Sequence, residues 1–244
     1  MLHALGGWVT VVVTFPRLPQ PARDARVQAW ARTMLERLGI DLKVQGTPPA
    51  TGPLLLVANH ISWLDILVLH AARHCRFVAK SDVRDWPVIG TLASGGGTLY
   101  IERASRRDAM RVVHQMVRSL QAGEILAVFP EGTTSDGRGL LPFHSNLIQA
   151  AVASGVAVQP VALQFVDART GAMSLGPCYV GDDTLLASVW RTLAGPRVTA
   201  VVRYGEPEFA AGRDRRSWAR DLQQGVQDLR EATDAAGHRS AGRP

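Results

Sequence analysis

The sequence predicts an α/β domain with a single mixed, mostly buried sheet flanked by helices. Two observations favour this fold class. Short apolar, β-branched runs alternate with helical patterns between Leu54 and Tyr204, and such runs are typical of strands covered on both faces. The chain of 244 residues is 46% hydrophobic and 20% charged, which is the balance of a folded globular protein. We therefore expect one domain with appendages.

The apolar runs predict six strands, and helical periodicity fills the intervals between them. The strands are expected at residues 54–58, 76–79, 99–101, 125–129, 156–163 and 198–204. The clearest helix covers 108–122, with Ser105 and Asp108 as a capping box and Gly123 at its end. Its apolar stripe is Met110, Val113, Met116, Val117 and Leu120. A further helix is expected over about 217–235. The chain divides into an N-terminal segment (1–41), a central domain (42–205) and a C-terminal helix with a polar tail (206–244).

The N-terminal segment combines an apolar stretch with an amphipathic helix. Residues 2–15 are apolar but fall short of the ~20 residues needed to span a bilayer. Residues 23–38 follow with helical spacing, with Trp30 on the apolar face. The opposite face carries Arg23, Arg26, Arg32 and Arg37. Together these pieces suit a membrane-associating anchor at the lipid interface, and simple packing of the helix on the domain is the alternative.

Charge content indicates the kind of partner, and cysteine content indicates the redox environment. The formal net charge is +6 and the only lysines are Lys43 and Lys80, so an anionic partner is expected. The arginines are dispersed and the three tyrosines are not grouped, which argues against nucleic acid. Cys75 and Cys178 show no Cys-x-x-Cys spacing, and we expect both to be small buried residues in a reduced compartment.

A histidine and an aspartate five residues apart follow the first buried strand. Within one straight helix, His60 and Asp65 would point about 140° apart and could not touch. His60 must therefore precede the helix. With Ser62 as N-cap, Asp65 falls in the first turn, where it can accept a hydrogen bond from the histidine Nδ1. The pair would leave Nε2 available as a general base. The alternative is a simple capping box with an ordinary loop histidine.

Two further polar clusters stand at predicted strand ends. Residues 97–103 end a strand with Arg103, and residues 129–135 end another with a proline, Glu131 and a hydroxyl-rich turn. In an α/β sheet, ligand sites collect outside the carboxyl ends of the strands. Three such clusters are difficult to explain as helix caps alone, and the sequence therefore predicts a functional site at this edge.

Other catalytic motifs are absent or weak. The sequence has no Gly-x-Ser-x-Gly nucleophile elbow. Residues 95–97 fit neither a dinucleotide fingerprint nor a P-loop. His70, His74 and Cys75 lack a second ligand pair at zinc spacing, so no metal site and no bound cofactor are expected.

The ordered motifs resemble the glycerolipid acyltransferase family, typified by 1-acyl-sn-glycerol-3-phosphate acyltransferases. The four boxes of that family are present in order. The Asn-His-x4-Asp box contains His60 and Asp65, and the Tyr-Ile-x-Arg box contains Tyr100 and Arg103. The Phe-Pro-Glu-Gly-Thr box covers 129–135, and the Val-x-Pro-Val strand covers 158–161. The resemblance extends over about residues 42–204.

The resemblance implies an acyltransferase of phospholipid biosynthesis at the cytoplasmic face of the inner membrane, bound peripherally or monotopically. His60 would be the general base on a lysophospholipid hydroxyl, with Asp65 orienting it. That hydroxyl would attack an acyl thioester directly, with acyl-CoA or acyl-carrier protein as co-substrate and phosphatidic acid as product. The substrate-binding residues would be Lys80, Tyr100, Arg103, Glu131, Gly132, Thr133 and Thr134, with Lys80 equally well explained as a surface lysine.

One departure from the family pattern affects the acceptor. Many members carry an arginine where this chain has Thr134, which weakens the case for a bare phosphomonoester and makes a lysolipid such as lyso-ornithine lipid an alternative. Arg138 lies four residues on and could compensate. A non-catalytic, basic membrane-surface binding module is the alternative of another class.

Overall fold

The computed structural model describes residues 2–101 and 106–240, and among them seven strands form one sheet. The strands are β1 (Ile40–Gln45), β2 (Leu54–Ala58), β3 (Arg76–Lys80), β4 (Leu99–Ile101), β5 (Ile125–Val128), β6 (Val158–Asp167) and β7 (Val198–Tyr204). Their order across the sheet is β1-β7-β6-β2-β5-β3-β4. All neighbouring pairs are parallel except β6 and β7.

This topology places two of the predicted clusters at one edge of the sheet. Because β2, β3, β4, β5 and β6 run in the same direction, their carboxyl ends all lie at the same edge. The loop with His60 follows β2, and Phe129 follows β5, the neighbour of β2. The predicted α/β fold with a mixed sheet is confirmed.

The helices fill both faces of the sheet. They are α1 (Leu2–Val9), α2 (Gln20–Arg37), α3 (Leu64–Ala72), α4 (Ile89–Gly95), α5 (Arg106–Gln121), α6 (Gln149–Ser154), α7 (Leu185–Ala194) and α8 (Arg215–Ser240). A π-helical turn (Thr10–Thr14) and a 3-10 turn (Phe15–Arg17) continue α1, and a second 3-10 turn (Ser81–Asp85) follows β3. Within the described residues, no helix combines the length and the apolar character needed to cross a bilayer.

Alternate residues of β2 separate two core layers, as the pleat of a strand requires. Leu54, Leu56 and Ala58 pack in the layer that contains α2 and α3. Leu55 and Val57 face the other layer, which contains α5, α6 and the fully buried Trp218 of α8. Both cysteines are buried and unpaired.

Several details differ from the predictions. The strand predicted at 156–163 is β6 (Val158–Asp167), and the helix predicted over about 217–235 is the longer α8 (Arg215–Ser240). The sequence interpretation missed β1, which begins before the predicted domain boundary at residue 42 and pairs with β7 at the edge of the sheet. The predicted stripe of α5 is wrong at Met110, which is 61% exposed, whereas Val112 is buried. Ser105 of the predicted capping box lies outside the described residues.

Close packing holds the N-terminal segment against the domain. Trp30 of α2 donates from Nε1 to the His3 carbonyl at 3.1 Å and stacks on the His3 ring. A Cβ on Gly7 would lie 2.4 Å from that indole nitrogen, and a Cβ on Gly95 of α4 would lie 2.5 Å from a Val11 methyl. Trp30 therefore faces α1. The segment also exposes apolar side chains to the outside, namely Leu2, Leu5, Trp8, Val9, Val12 and Val13.

Candidate active site

The loop between β2 and α3 brings His60 onto Asp65. The His60 Nδ1 lies 2.7 Å from the Asp65 Oδ2, and the same oxygen accepts the backbone N–H groups of Ile61 at 2.6 Å and Ser62 at 2.9 Å. Ser62 in turn accepts the Leu64 N–H through its hydroxyl at 3.2 Å. The contact predicted from the five-residue spacing is therefore present, and it depends on His60 preceding the helix.

The surroundings of His60 leave one ring nitrogen available. Asp65 is completely buried, whereas the His60 side chain is 18% exposed. The imidazole stacks on Phe129, with ring centroids 4.0 Å apart and planes 8° from parallel. Its Nε2 makes no hydrogen bond within the part of the chain that the structure describes. A carboxylate on Nδ1 places the ring proton there, because an ionised carboxylate only accepts hydrogen bonds, so Nε2 carries the lone pair.

The segment after β5 holds the backbone of His60 on both sides. Glu131 accepts the His60 N–H through Oε1 at 2.7 Å. Ser135 donates to the His60 carbonyl from its backbone N–H at 2.9 Å and from its hydroxyl at 3.3 Å. No role was predicted for Ser135, and its position at the end of the box that covers 129–135 was the available signal.

Glu131 uses both of its carboxylate oxygens inside the protein. Its Oε2 accepts the Leu141 N–H at 2.8 Å, and the residue is only 3% exposed. Burial raises the pKa of this carboxyl above its ordinary value, although the hydrogen bonds from Leu141 and His60 act in the opposite direction. Glu131 is thus placed to position His60, and its predicted contact with substrate stays a prediction.

Asn59 anchors the same loop to β6. Its side-chain amide donates to the Leu163 carbonyl at 3.0 Å and accepts the Leu163 N–H at 2.7 Å. The residue is 1% exposed, so the paired bonds satisfy a side chain that would be costly to bury unpaired. Sequence reasoning assigned no role to Asn59, because its partner is 104 residues away.

Three predicted residues lie in the turn after Glu131. Gly132 adopts a φ of +73°, which favours glycine at this turn. Thr133 is exposed and forms no hydrogen bond to any described residue. The Thr134 hydroxyl donates to the Tyr179 carbonyl and is therefore engaged inside the protein.

The remaining predicted residues follow β3 and β4. The Lys80 side chain is exposed at the end of β3, and no ion pair or hydrogen bond joins it to another described residue. The Tyr100 hydroxyl contacts the Gly90 carbonyl at 3.1 Å and the Ser94 hydroxyl at 2.9 Å, and the Arg84 guanidinium lies 4.5 Å above its ring. Arg103 lies outside the described residues, so its contact with substrate stays a prediction.

The His60–Asp65 pair thus lies beyond the carboxyl end of β2, at the edge of the sheet where ligand sites of α/β proteins collect. The chain belongs to the acyltransferase family, because the Acyltransferase family model matches residues 41–164. Among the residues described, no group of three or more His, Cys, Asp or Glu side chains is arranged to hold a metal ion.

Similar proteins support this assignment. The chain is 37% identical over 223 residues to a lyso-ornithine lipid O-acyltransferase of Pseudomonas aeruginosa, covering 91% of this chain and 85% of that protein. It is also 37% identical over 185 residues to the 1-acyl-sn-glycerol-3-phosphate acyltransferase of Neisseria gonorrhoeae, covering 75% and 71%. The crystal structure of the 1-acyl-sn-glycerophosphate acyltransferase PlsC from Thermotoga maritima matches with a TM-score of 0.62 at 20% identity, covering 94% of this chain and 95% of that one. At 20% identity, this match shows that the two chains share a fold.

Proposed function

We propose that this protein transfers an acyl group from an acyl thioester to the free hydroxyl of a lysophospholipid. The acceptor is 1-acyl-sn-glycerol-3-phosphate and the product is phosphatidic acid. The observation that carries the proposal is the His60–Asp65 contact of 2.7 Å, with Nε2 available at the edge of the sheet. The donor is acyl-CoA or acyl-carrier protein, and either anionic carrier suits a chain of net charge +6.

The chemistry follows from the position of the imidazole. His60 Nε2 removes the hydroxyl proton while the alcohol oxygen attacks the thioester carbonyl. Collapse of the tetrahedral intermediate breaks the carbon–sulfur bond, and the imidazolium returns its proton to the departing thiolate. Asp65 keeps the ring oriented and stabilises the imidazolium. Because the acceptor oxygen attacks the thioester directly, no acyl-enzyme forms. A positioned general base of this kind contributes about 10²- to 10⁴-fold to the rate.

Lyso-ornithine lipid is the second candidate acceptor. The relative from Pseudomonas aeruginosa is named for that substrate, and so is one from Brucella abortus that is 37% identical. Thr134 supplies no cation where the family arginine would stand, which favours an acceptor that does not depend on a phosphate fork at this position.

The acceptor must reach the site from a lipid surface. We propose that the enzyme associates with the cytoplasmic face of the inner membrane through the exposed apolar side chains of α1 and the turn after it, such as Leu5, Val9 and Val12. The exposed Arg26 and Arg37 of α2 add positive charge to the same N-terminal segment.

The test is a mass-spectrometric acyl-transfer assay with purified, detergent-solubilised protein. Lysophosphatidic acid and lyso-ornithine lipid are offered with acyl-CoA or acyl-carrier protein as donor. The wild-type protein should form a diacyl product, and His60→Ala should lower kcat by about 10²- to 10⁴-fold because the general base is lost.

The matched control is His114→Ala. His114 is an exposed histidine of α5, outside the site, so this variant should retain wild-type activity. Wild-type protein that acylates neither acceptor would overturn the proposed function. Full activity in a folded His60→Ala variant would remove His60 from the mechanism.

A further inference from the structure

The connection between β6 and α7 crosses the site. Within it, we call residues 176–183 the crossing segment. The Tyr179 N–H donates to the Ile61 carbonyl at 3.0 Å, and the Tyr179 carbonyl accepts the Thr134 hydroxyl. One residue of the segment, Tyr179, therefore joins the His60 loop to the turn after β5, the two pieces of chain that hold the imidazole.

A second contact joins the crossing segment to the chain that follows β5. The Cys178 thiol donates to the Asp136 carbonyl at 3.3 Å. Burial raises the pKa of this thiol to about 11, and the charges of Asp65 and Asp136 add to the increase. Cys178 is thus close enough to Asp65 to sense its charge.

The far side of the crossing segment is anchored by Arg191 of α7. Its Nε donates to the Gly176 carbonyl at 2.9 Å, and its Nη2 donates to the Cys178 carbonyl at 2.5 Å and to the Asp183 carboxylate at 2.8 Å. A planar guanidinium can satisfy several acceptors in one arrangement, which lysine cannot reproduce. The segment is therefore held from both sides, by Thr134 at the site and by Arg191 from behind.

We propose that the crossing segment forms one wall of the acceptor site and that Thr134 is a positioning residue that sets acceptor use by holding the Tyr179 carbonyl. The inference rests on the proposed acyl transfer and adds the element that recognises the acceptor. Because the Thr134 hydroxyl is used internally, the head group on this side meets a neutral peptide wall, and position 134 supplies no guanidinium. Binding of the acyl donor does not depend on this contact.

Two substitutions at Thr134 test whether acceptor use depends on the hydrogen bond of its hydroxyl to the Tyr179 carbonyl. Thr134→Val keeps the shape and removes the donor, so kcat/KM for the acceptor should fall about fivefold to tenfold, through KM, while the donor KM stays unchanged. Thr134→Ser keeps the donor and should restore wild-type values. Thr51→Val, in an exposed loop at the amino end of β2, is the matched control and should behave as wild type.

Arg191→Lys tests the other anchor. It keeps the charge and removes the planar guanidinium. It should therefore raise the KM for the acceptor and leave the KM for the donor unchanged. The ratio of kcat/KM for lysophosphatidic acid to that for lyso-ornithine lipid should change in both Thr134→Val and Arg191→Lys.

The outcomes separate this proposal from the proposed function. If wild-type protein acylates neither acceptor, acyl transfer itself fails. If wild-type protein is active and Thr134→Val keeps acceptor parameters within twofold, the positioning role is overturned. A parallel loss for donor and acceptor that Thr134→Ser does not rescue would also overturn it, because that pattern reports general structural damage.

Discussion

Asp65 concentrates three hydrogen bonds on one oxygen atom. The Oδ2 accepts from the His60 ring and from the N–H groups of Ile61 and Ser62, whereas the buried Oδ1 has no hydrogen-bond partner among the described residues. The backbone bonds fix the carboxylate in the first turn of α3, and the carboxylate then fixes the imidazole. The loop itself therefore sets the orientation of the imidazole.

The buried carboxyl of Glu131 should make the stability of the protein depend on pH. Burial raises its pKa above the ordinary value of 4.5, and the N–H groups of Leu141 and His60 only partly offset this. The folded protein then binds this proton more readily than the unfolded chain, so stability should fall as pH rises from about 4.5 through the raised pKa, and level off above it.

Glu131→Gln should remove this contribution to the pH dependence. Urea unfolding between about pH 4.5 and 7 measures the change in the free energy of unfolding. The exposed Glu36→Gln serves as the comparison and should keep the wild-type profile. An unaltered profile in Glu131→Gln would show that this carboxyl does not titrate differently in the folded state.

The site was predictable from sequence where it depends on local geometry. The spacing of His60 and Asp65 led to the loop-to-helix contact because five residues determine it. The partners of Glu131, Ser135 and Thr134 were not predictable, because backbone groups distant in sequence meet these side chains only after the sheet is assembled.

At the scale of elements, glycine determines how closely α1 approaches α2 and α4. A Cβ on Gly7 would lie 2.4 Å from the Trp30 indole nitrogen, whereas a Cβ on Gly6 would meet nothing within 4 Å. Gly7→Val should therefore destabilise the protein by about 1–3 kcal/mol relative to Gly6→Val, because the two helices must separate. The two glycines share one helix, so differences in helix propensity largely cancel.

The free energies of unfolding of the two variants, measured with urea, check this expectation. Tryptophan fluorescence gives a second measurement. The protein has six tryptophans, so the contribution of Trp30 is taken as the difference from a Trp30→Phe background, and it should change in Gly7→Val alone. Equal stability of the two variants would indicate that the N-terminal helix does not pack on α2 in solution.

Most elements were predictable because their apolar runs are long enough to identify. The predicted strands at 54–58, 99–101 and 198–204 have the observed bounds. By contrast, β1 lies at the sheet edge, where only Ile40 is buried and the other five residues are half-buried or exposed. Its apolar residues alternate with polar ones and form no continuous apolar run. Edge strands of this kind carry less apolar signal than central strands.

At the scale of the whole molecule, net charge and the exposed N-terminal apolar surface should act together on membranes. The protein carries +6, and Leu5 and Val9 are each 49% exposed. We expect it to cosediment with vesicles that contain anionic phospholipid, and more weakly as salt is raised. The double substitution Leu5→Asp and Val9→Asp should lower the vesicle partition coefficient at least about tenfold, since each apolar side chain contributes about 1.5–3 kcal/mol on burial.

The comparison variant is Phe209→Asp. Phe209 is 63% exposed and precedes α8, far along the chain from the N-terminal segment. The Phe209→Asp variant should bind vesicles as the wild type does. Equal loss of binding in Phe209→Asp, or no loss in the double variant, would contradict membrane attachment through α1.

Backbone N–H groups form many of the hydrogen bonds around His60, and this affects how the site can evolve. The N–H groups of Ile61, Ser62, Leu141 and Tyr179 hold the site, and every amino acid except proline supplies such a group. As far as these bonds are concerned, natural variation at these four positions can proceed freely, with proline as the one forbidden choice. A lineage can therefore remodel the surroundings of its reactive centre and adopt new lipids while the arrangement of that centre is preserved.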